Sequence, residues 1–139
     1  MTTSQDSKNA LVVFEGLPPG LAVNAASVLA VTLGHRVDEL VGTDVTDADG
    51  LVHPGIIYRP LPILRAGAAE IGRIVAAAAR HEDVFCAAFS SLAQSCRTYD
   101  EYVRRMRETP TSGLDAIAVA VVGPTKKVNK LLGSLPLFR

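Results

Sequence analysis

The sequence is poor in aromatic residues, since it contains no Trp, three Tyr and four Phe among 139 residues. The core therefore has to be built from Ala, Val, Leu and Ile. Such a composition suits a sheet whose faces are covered by alanine-rich helices. At this length the chain is most simply one domain, and it can bury a core without disulfides or a metal.

Cysteine is also scarce, because Cys86 and Cys96 are too few for a disulfide framework. Cys86 lies in an apolar run and is predicted to belong to the core, whereas Cys96 follows a loop. Neither the cysteines nor the histidines show metal-ligand spacing. The stretch from Asp47 to Gly50 mimics part of a calcium loop but lacks its other ligands, so a turn is predicted there. The sequence thus predicts no metal and no other cofactor.

The chain has no excess of either charge, with 14 basic and 14 acidic residues. A neutral domain has no global field to attract nucleic acid, so a nucleic-acid partner is disfavoured. No apolar run is long enough to span a bilayer, and the polar start lacks the apolar segment of a signal peptide. We therefore expect a cytoplasmic protein with no membrane contact, a disordered tail over residues 1–8 and one domain over residues 9–139.

The first half of the chain supplies two strands and two helices. Ala10–Phe14 is a short apolar run typical of a buried strand. A helix is predicted over 21–33, ended by Gly34, and it is apolar almost all round. A helix of that kind is either buried or packed on a partner subunit, which predicts a homodimer. After the prolines of 60–62 a strand is predicted at Ile63, and a helix over 67–80 follows.

The segment 42–57 is irregular, and the sequence leaves open whether it closes over a pocket. Asp49-Gly50, between short apolar runs, predicts a type I′ hairpin.

The second half repeats the alternation of strand and helix. Val84–Phe89 is a further apolar run, and a loop or one helical turn is predicted over 90–96. Thr98, with Glu101 three residues later, predicts a helix N-terminus with Tyr99 on the inner face. Leu114–Val122 is a long apolar strand, followed by a short helix that stops at Gly133. The pattern predicts a three-layer α/β/α domain with a mixed central sheet.

The C-terminal tail resembles that of type-II peptidyl-tRNA hydrolases, which end with a Gly-Pro turn, a helix carrying Asp-Lys, a Gly and a Leu-Lys-Leu-Tyr stretch. The matching places are filled by Gly123-Pro124, Asn129-Lys130, Gly133 and the final run from Leu135 to Phe138. The whole chain more closely resembles a bacterial family of unknown function, domain-of-unknown-function family two thousand, which shares that fold. Asn24, Asp49-Gly50 and the proline-flanked strand at 60–64 look like features of that family. The resemblance implies the type-II peptidyl-tRNA hydrolase-like fold.

This chain departs from the hydrolase pattern at the residues that contribute to ester cleavage in those enzymes. Those enzymes carry a Gly-Lys at the start of the first helix and an Asp-Ala-Gly-Arg-Thr stretch after a later strand. Here the first helix begins Pro19-Gly20-Leu21 without a lysine, and Ser90 and Ser91 stand where the aspartate is expected. The resemblance therefore implies an architecture and not the hydrolase activity.

Four residues are candidates for a ligand site: Asn24, Ser90, Ser91 and Asp100. The Asn24 amide is suited to orienting a ligand or a water, although bridging of backbone groups in the core is slightly favoured. Ser90 and Ser91 follow a buried strand, where ligands gather in α/β sheets, but capping of a helical turn is favoured. Asp100 is explained mainly by an i, i+4 pair with Arg104.

Three functions remain open at this point. The leading hypothesis is a domain that has lost the hydrolase lysine and aspartate and binds a small molecule or a partner, as a homodimer. The second is an ester hydrolase with a different residue set near Asn24, Ser90 and Ser91. The third is a weak RNA binder that uses the arginines of 97–107. The sequence does not decide whether the protein is an enzyme.

Overall fold

The computed structural model describes residues 6–139, in which strands and helices alternate. Strand β1 spans Ser7–Phe14, three residues earlier than the apolar run predicts. Ser7 and Lys8 pair with Pro124 and Gly123 of the last strand, so these two residues belong to the sheet and not to a tail. The remaining part of the predicted tail, residues 1–5, lies outside the described residues.

The main sheet has the strand order β4-β1-β6-β5, in which β4 is Ile63–Ala66, β5 is Phe85–Ser90 and β6 is Ala116–Pro124. Strand β1 runs parallel to β4, while β6 runs antiparallel to both β1 and β5. The predicted mixed sheet is thus confirmed. Strands β1, β4 and β5 share one direction, so their carboxyl ends lie at one edge of the sheet.

The two central strands are buried on both faces, which is why β1 and β6 are continuously apolar. Ala10 and Val12 pack under α2 (Ala68–Ala78) and α5 (Thr125–Leu132). Leu11 and Val13 face the opposite side, under α1 (Pro19–Arg36). Helices thus cover both faces of the sheet, and each fully buried Val or Leu contributes roughly 1.5–3 kcal/mol.

Helix α1 is longer than predicted, because it continues through Gly34 to Arg36. Leu33 and Val37 are both buried in the same cluster, and the Val37 N–H donates to the Leu33 carbonyl at 2.9 Å. Core packing on either side of Gly34 thus outweighs the cost of about 1 kcal/mol for a glycine within a helix. The prediction that Gly34 ends the helix is wrong.

The predicted hairpin exists, but it stands apart from the main sheet. Its strands are β2 (Val45–Thr46) and β3 (Val52–His53). The Asp47 N–H donates to the Leu51 carbonyl, so the loop is three residues long, with Gly50 at a φ of 85°. This geometry is a type I turn followed by a bulge, so the type I′ prediction is wrong.

Two short helices follow β5, namely α3 (Ser91–Ser95) and α4 (Tyr99–Arg107). The predicted cap of α4 is confirmed, since the Thr98 hydroxyl accepts a hydrogen bond from the Glu101 N–H at 3.1 Å. The Glu101 carboxylate accepts from the Arg97 N–H, one residue before the expected partner. Helix α4 therefore begins where the sequence predicts.

The inner face of α4 differs from the prediction at Tyr99. Its side chain is 76% exposed, and its ring lies edge-on to the ring of Tyr102 with centroids 5.6 Å apart. No residue of α4 is fully buried. Helix α4 is therefore loosely packed, and its main contact is with α3.

The C-terminal tail closes the outer edge of β4. Strand β6 continues through Gly123 and Pro124, where a turn was predicted, and α5 then stops at Gly133 with a φ of 58°, as predicted. Beyond it Leu137 forms an antiparallel bridge to Leu64. The tail thus covers backbone that an edge strand would otherwise expose.

Candidate functional site

An open groove lies where the parallel strands end. One wall is α2, the other comes from α4 and the residues before β6, and Phe14 and Ser90 mark the carboxyl ends of β1 and β5. Its volume is about 810 Å³, within the range of small-molecule sites. In open α/β sheets ligands bind beyond the carboxyl ends of strands, so the groove is where the fold predicts a site.

The groove is lined chiefly by apolar and small side chains. Gly72 and Ala76 of α2 and Ala79, directly after its end, lie along one side of this wall, and none has a large side chain. Ala88 of the edge strand β5 is exposed and forms part of the same surface. The opposite wall carries the larger side chains of Tyr102 and Met106. A molecule with an apolar body fits such a lining.

The polar groups gather at the end of β5. The Ser90 hydroxyl accepts a hydrogen bond from the Ala93 N–H at 3.1 Å, so Ser90 caps α3 as the sequence favoured. The Ser91 N–H donates to the Asp115 carbonyl at 3.0 Å, which fixes the chain where β5 turns into α3. Both serines and Asp115 line the groove. The site therefore offers hydroxyl and carboxylate groups at one end of an apolar channel.

Nucleophilic chemistry would need a base beside one of these serines. Among the described residues, neither serine hydroxyl has a histidine or carboxylate side chain as hydrogen-bond partner. His35 lies in the last turn of α1, and His53 bonds to Asp47 in the hairpin with 2.8 Å between Nε2 and Oδ2. The described part of the groove therefore presents two serines without a base paired to either hydroxyl.

The groove continues along β5 into a second cavity of about 420 Å³. Val75, Ala79 and Ala88 line both cavities, and Cys86 lines the second one. Burial raises the pKa of the Cys86 thiol, so Cys86 is protonated at neutral pH and behaves as an apolar wall residue. Cys86 was predicted to belong to the core. Its side chain packs at the edge of the core, where it is half-buried in a cavity wall.

Asn24 does not belong to the groove. It lies on the exposed side of α1, and its Oδ1 accepts a hydrogen bond from the Gln94 side chain at 3.2 Å. The same Gln94 amide donates to the Leu21 carbonyl at 3.0 Å. Asn24 therefore helps to tie α3 to α1, and the expectation that it bridges backbone within the core is wrong because it is exposed.

Asp100 is also separate from the serines. It lies on the outer side of α4, beside a shallow depression of about 540 Å³ that Arg104 and Arg107 also line. The predicted pair of Asp100 with Arg104 does not form, whereas Glu101 and Arg105 are 3.5 Å apart. The four candidates thus divide among three places, and the groove holds only Ser90 and Ser91.

Sequence reasoning missed most of the groove. Gly72, Ala76 and Ala79 recur at helical spacing directly beside the predicted core stripe of α2, and none of them is charged. A second uncharged stripe on an otherwise amphipathic helix was the available signal. Tyr102 and Asp115 carry no such signal, because only the tertiary fold brings them to the end of β5.

Among residues 6–139, no group of three or more His, Cys, Asp or Glu side chains is placed to hold a metal ion. Within the same range, no helix combines the length and the apolar character needed to cross a bilayer. The hairpin segment 42–57 contributes no lining residue to the groove or to its extension along β5.

Fold and groove together define an α/β domain with a four-stranded mixed sheet, helices on both faces and an apolar channel at the strand ends. The chain belongs to a family of proteins of unknown function, DUF2000, whose family model matches residues 7–139. A solved structure of a protein of unknown function from Agrobacterium tumefaciens strain C58 has the same fold. Its TM-score is 0.84 at 13% identity, covering 98% of this chain and 100% of that one. No curated protein sequence matches the chain.

Proposed function

We propose that this protein is a binding domain that takes a small, largely apolar molecule in the groove at the ends of β1 and β5. The observation that carries the proposal is the groove itself, an open channel of about 810 Å³ whose walls are mostly apolar. Open α/β sheets bind their ligands beyond the carboxyl ends of strands, and small-molecule sites are mostly apolar clefts of this size. The serines lack a base, which favours binding over cleavage.

The polar end of the groove narrows the class of ligand. Ser90, Ser91 and Asp115 all line this end, where the Ser91 N–H donates to the Asp115 carbonyl and Asp115 is exposed. A carboxylate disfavours an anionic ligand and accepts hydrogen bonds. The proposed ligand therefore has an apolar body and a hydrogen-bond donor, such as an amine or a hydroxyl, at one end.

The proposal also assigns the α/β domain to a particular fold. We place the domain with the type-II peptidyl-tRNA hydrolase-like fold, as a cytoplasmic protein that has left the hydrolase activity behind. The missing lysine at the start of α1 and the serines in place of the aspartate support this view. On this proposal the groove binds a small molecule and not a tRNA.

The test uses N-phenyl-1-naphthylamine, a neutral aromatic amine whose fluorescence rises in apolar sites. Ala76→Leu fills the groove from α2, and we expect it to weaken binding of this probe at least tenfold, about 1.4 kcal/mol. Ala69→Leu is the matched control, because Ala69 is exposed on the same helix but does not line the groove. The control is expected to bind the probe as the wild type does.

The comparison of the two variants is decisive because other exposed apolar side chains can also bind the probe. Equal affinities for Ala76→Leu, Ala69→Leu and the wild type would show that the probe binds elsewhere. That result would overturn the groove as the binding site.

A further inference from the structure

The two edges of the main sheet differ in their cover. Along the outer edge of β4 the C-terminal tail pairs like an added strand. There the Arg65 N–H donates to the Pro136 carbonyl at 2.9 Å, and the Phe138 N–H donates to the Ile63 carbonyl at 2.8 Å. At the other edge, beyond β5, the described residues 6–139 supply no such segment.

The strand register shows which backbone groups of β5 point away from the sheet. The Leu11 N–H donates to the Pro62 carbonyl, so the backbone groups of Leu11 point towards β4. Successive residues of a strand point to opposite sides, so Val12 bonds to its partner Val119 of β6. Val119 thus points towards β1, and Ala88, which lies opposite Val119 on β5, points outward.

Cys86 lies two residues before Ala88 and therefore has the same orientation. Each of these residues directs one N–H donor and one carbonyl acceptor away from β6. In the part of the chain that the structure describes, none of these four groups has a hydrogen-bond partner. Alternating donors and acceptors of this kind are what an added antiparallel strand pairs with.

The sequence of β5 does not protect this edge. Natural edge strands are usually blocked by a charged side chain, a proline or a bulge. The strand Phe85–Ser90 contains no charged residue and no proline, and its one irregularity lies at its end, between Phe89 and Ser90. Ala88 is exposed and Cys86 is only half-buried. The edge is therefore open to an extended segment.

The cavities beside β5 match the side chains of such a segment. Residues that face one another across a strand pair place their side chains on the same face of the sheet. Ala88 lines the groove, and Cys86 lines its extension along β5. A residue opposite Ala88 therefore directs its side chain to the groove. The residue opposite Cys86, about 7 Å further along, directs its side chain to the extension.

Charge sets the direction of the added strand. Among the described residues that line the groove, Asp115 is the only one with a charged side chain. It lies at the carboxyl end of β5, where its carbonyl accepts from the Ser91 N–H. A carboxylate attracts the ammonium group of a free amino terminus. A peptide that begins at this end runs antiparallel to β5.

We propose that the groove takes a short apolar peptide with a free amino terminus, which adds to the edge of β5 as an antiparallel strand. This inference rests on the proposed function, because it names the chemical class of molecule that the groove binds. The first peptide residue lies opposite Ala88 and the third opposite Cys86, and the ammonium group faces the end that carries Asp115. The N–H of the second peptide residue points to solvent.

The experiment is isothermal titration calorimetry with leucyl-alanyl-leucyl-alanine amide and two N-methylated forms of it. Methylation of the third residue removes the N–H that donates to the Cys86 carbonyl. We expect it to weaken binding about fivefold, the net effect of roughly one hydrogen bond. Methylation of the second residue is the matched control, because that N–H has no partner on β5, and it is expected to leave the affinity unchanged.

Asp115→Asn tests the direction of the peptide. The substitution removes the charge and keeps the backbone contact with Ser91, and the side chain is exposed, so the fold is retained. We expect it to weaken binding of the peptide with a free amino terminus about fivefold, as for the loss of one charged contact. Binding of the N-acetylated peptide is expected to be the same in Asp115→Asn and in the wild type.

Equal effects of the two methylations would overturn the proposal, and so would the absence of peptide binding at about 1 mM, a concentration that detects even weak complexes. A wild type that sediments as a dimer and takes up no peptide would assign the edge to a second copy and would also overturn it. If Ala76→Leu still weakens binding of N-phenyl-1-naphthylamine in any of these cases, the groove remains a binding site. The failure of strand pairing is thereby distinguished from a failure of the proposed function.

Discussion

At Gly55, two segments of the backbone come closer together than a larger residue would allow. Gly55 lies against the backbone of Gly42 and Thr43, so that a Cβ at Gly55 would overlap the Gly42 carbonyl oxygen. The Asp44 carboxylate accepts a hydrogen bond from the Gly55 N–H at 3.1 Å and holds this approach. The base of the segment 41–58, here named the arm, therefore requires a glycine for space and not for its backbone angles.

Gly55→Ala is expected to loosen the arm, because the backbone has to move to relieve the overlap, at a cost of about 1–3 kcal/mol. The measurement is hydrogen exchange of the Gly42 and Tyr58 amides, which bond to the Ile56 and Leu40 carbonyls.

Gly72→Ala serves as a control, because it is expected to stabilise the protein and not to destabilise it. A Cβ at Gly72 meets no atom, and alanine favours the helix by about 0.5–1 kcal/mol. Unchanged exchange at Gly42 and Tyr58 in Gly55→Ala would contradict the account of the arm.

The sequence predicted residue roles where the partner is close along the chain. The Ser90 and Thr98 caps reach amides three residues ahead, so local patterns reveal them. The role of Asn24 depends on Gln94, which is 70 residues away, and no local pattern reports that contact. The contact of Asp115 with Ser91 was missed for the same reason, because it follows from the pairing of β5 with β6.

Ion pairs on the surface join the helices to the sheet at the scale of whole elements. Arg73 of α2 bonds to Glu70 and also donates to the Leu131 carbonyl of α5 at 2.9 Å, which links the two helices on one face. Lys127 of α5 contacts both carboxylate oxygens of Asp83, which precedes β5. Helix α5 is therefore held both to α2 and to the start of the edge strand.

The Asp83 contact predicts a pH dependence of stability. The ammonium group of Lys127 lowers the pKa of Asp83 in the folded protein. A lowered folded pKa stabilises the fold fully above the unfolded pKa, and this stabilisation is lost as the pH falls below about 4. We expect Asp83→Asn to make the unfolding midpoint in urea less dependent on pH between about 4 and 2.5.

Lys127→Met removes the same contact from the other side. In the two single variants and in the double variant, the unfolding midpoint in urea is expected to change equally little with pH. A slope in Asp83→Asn as steep as that of the wild type would contradict the assignment.

Elements were predicted well where burial alone defines them. The runs at 10–14, 84–89 and 114–122 are apolar because they cross the middle of the sheet or pair beside it. Boundaries that depend on distant partners were missed, as with Ser7 and Lys8, which are polar and extend β1 through pairing with β6. The three-residue hairpin loop was also missed, because Asp-Gly is compatible with both turn types.

At the scale of the whole molecule, the groove and the exposed apolar face of α1 lie apart from one another. The groove lies where the parallel strands end, between α2 and α4, while the uncharged face of α1 and the arm lie on the opposite side of the sheet. The layered architecture followed from the alternation of strand and helix in the sequence. The groove could not be predicted in the same way, because it is assembled from residues between Phe14 and Ile117.

The most direct test is to map where N-phenyl-1-naphthylamine binds, by the ¹H–¹⁵N chemical-shift changes that it causes in the labelled protein. The account predicts that the largest changes fall on the amides of α2, on Ser90 and Ser91, and on Ala116 and Ile117. Changes confined to α1 and the arm would contradict it, because the probe would then be bound to exposed apolar side chains outside the groove.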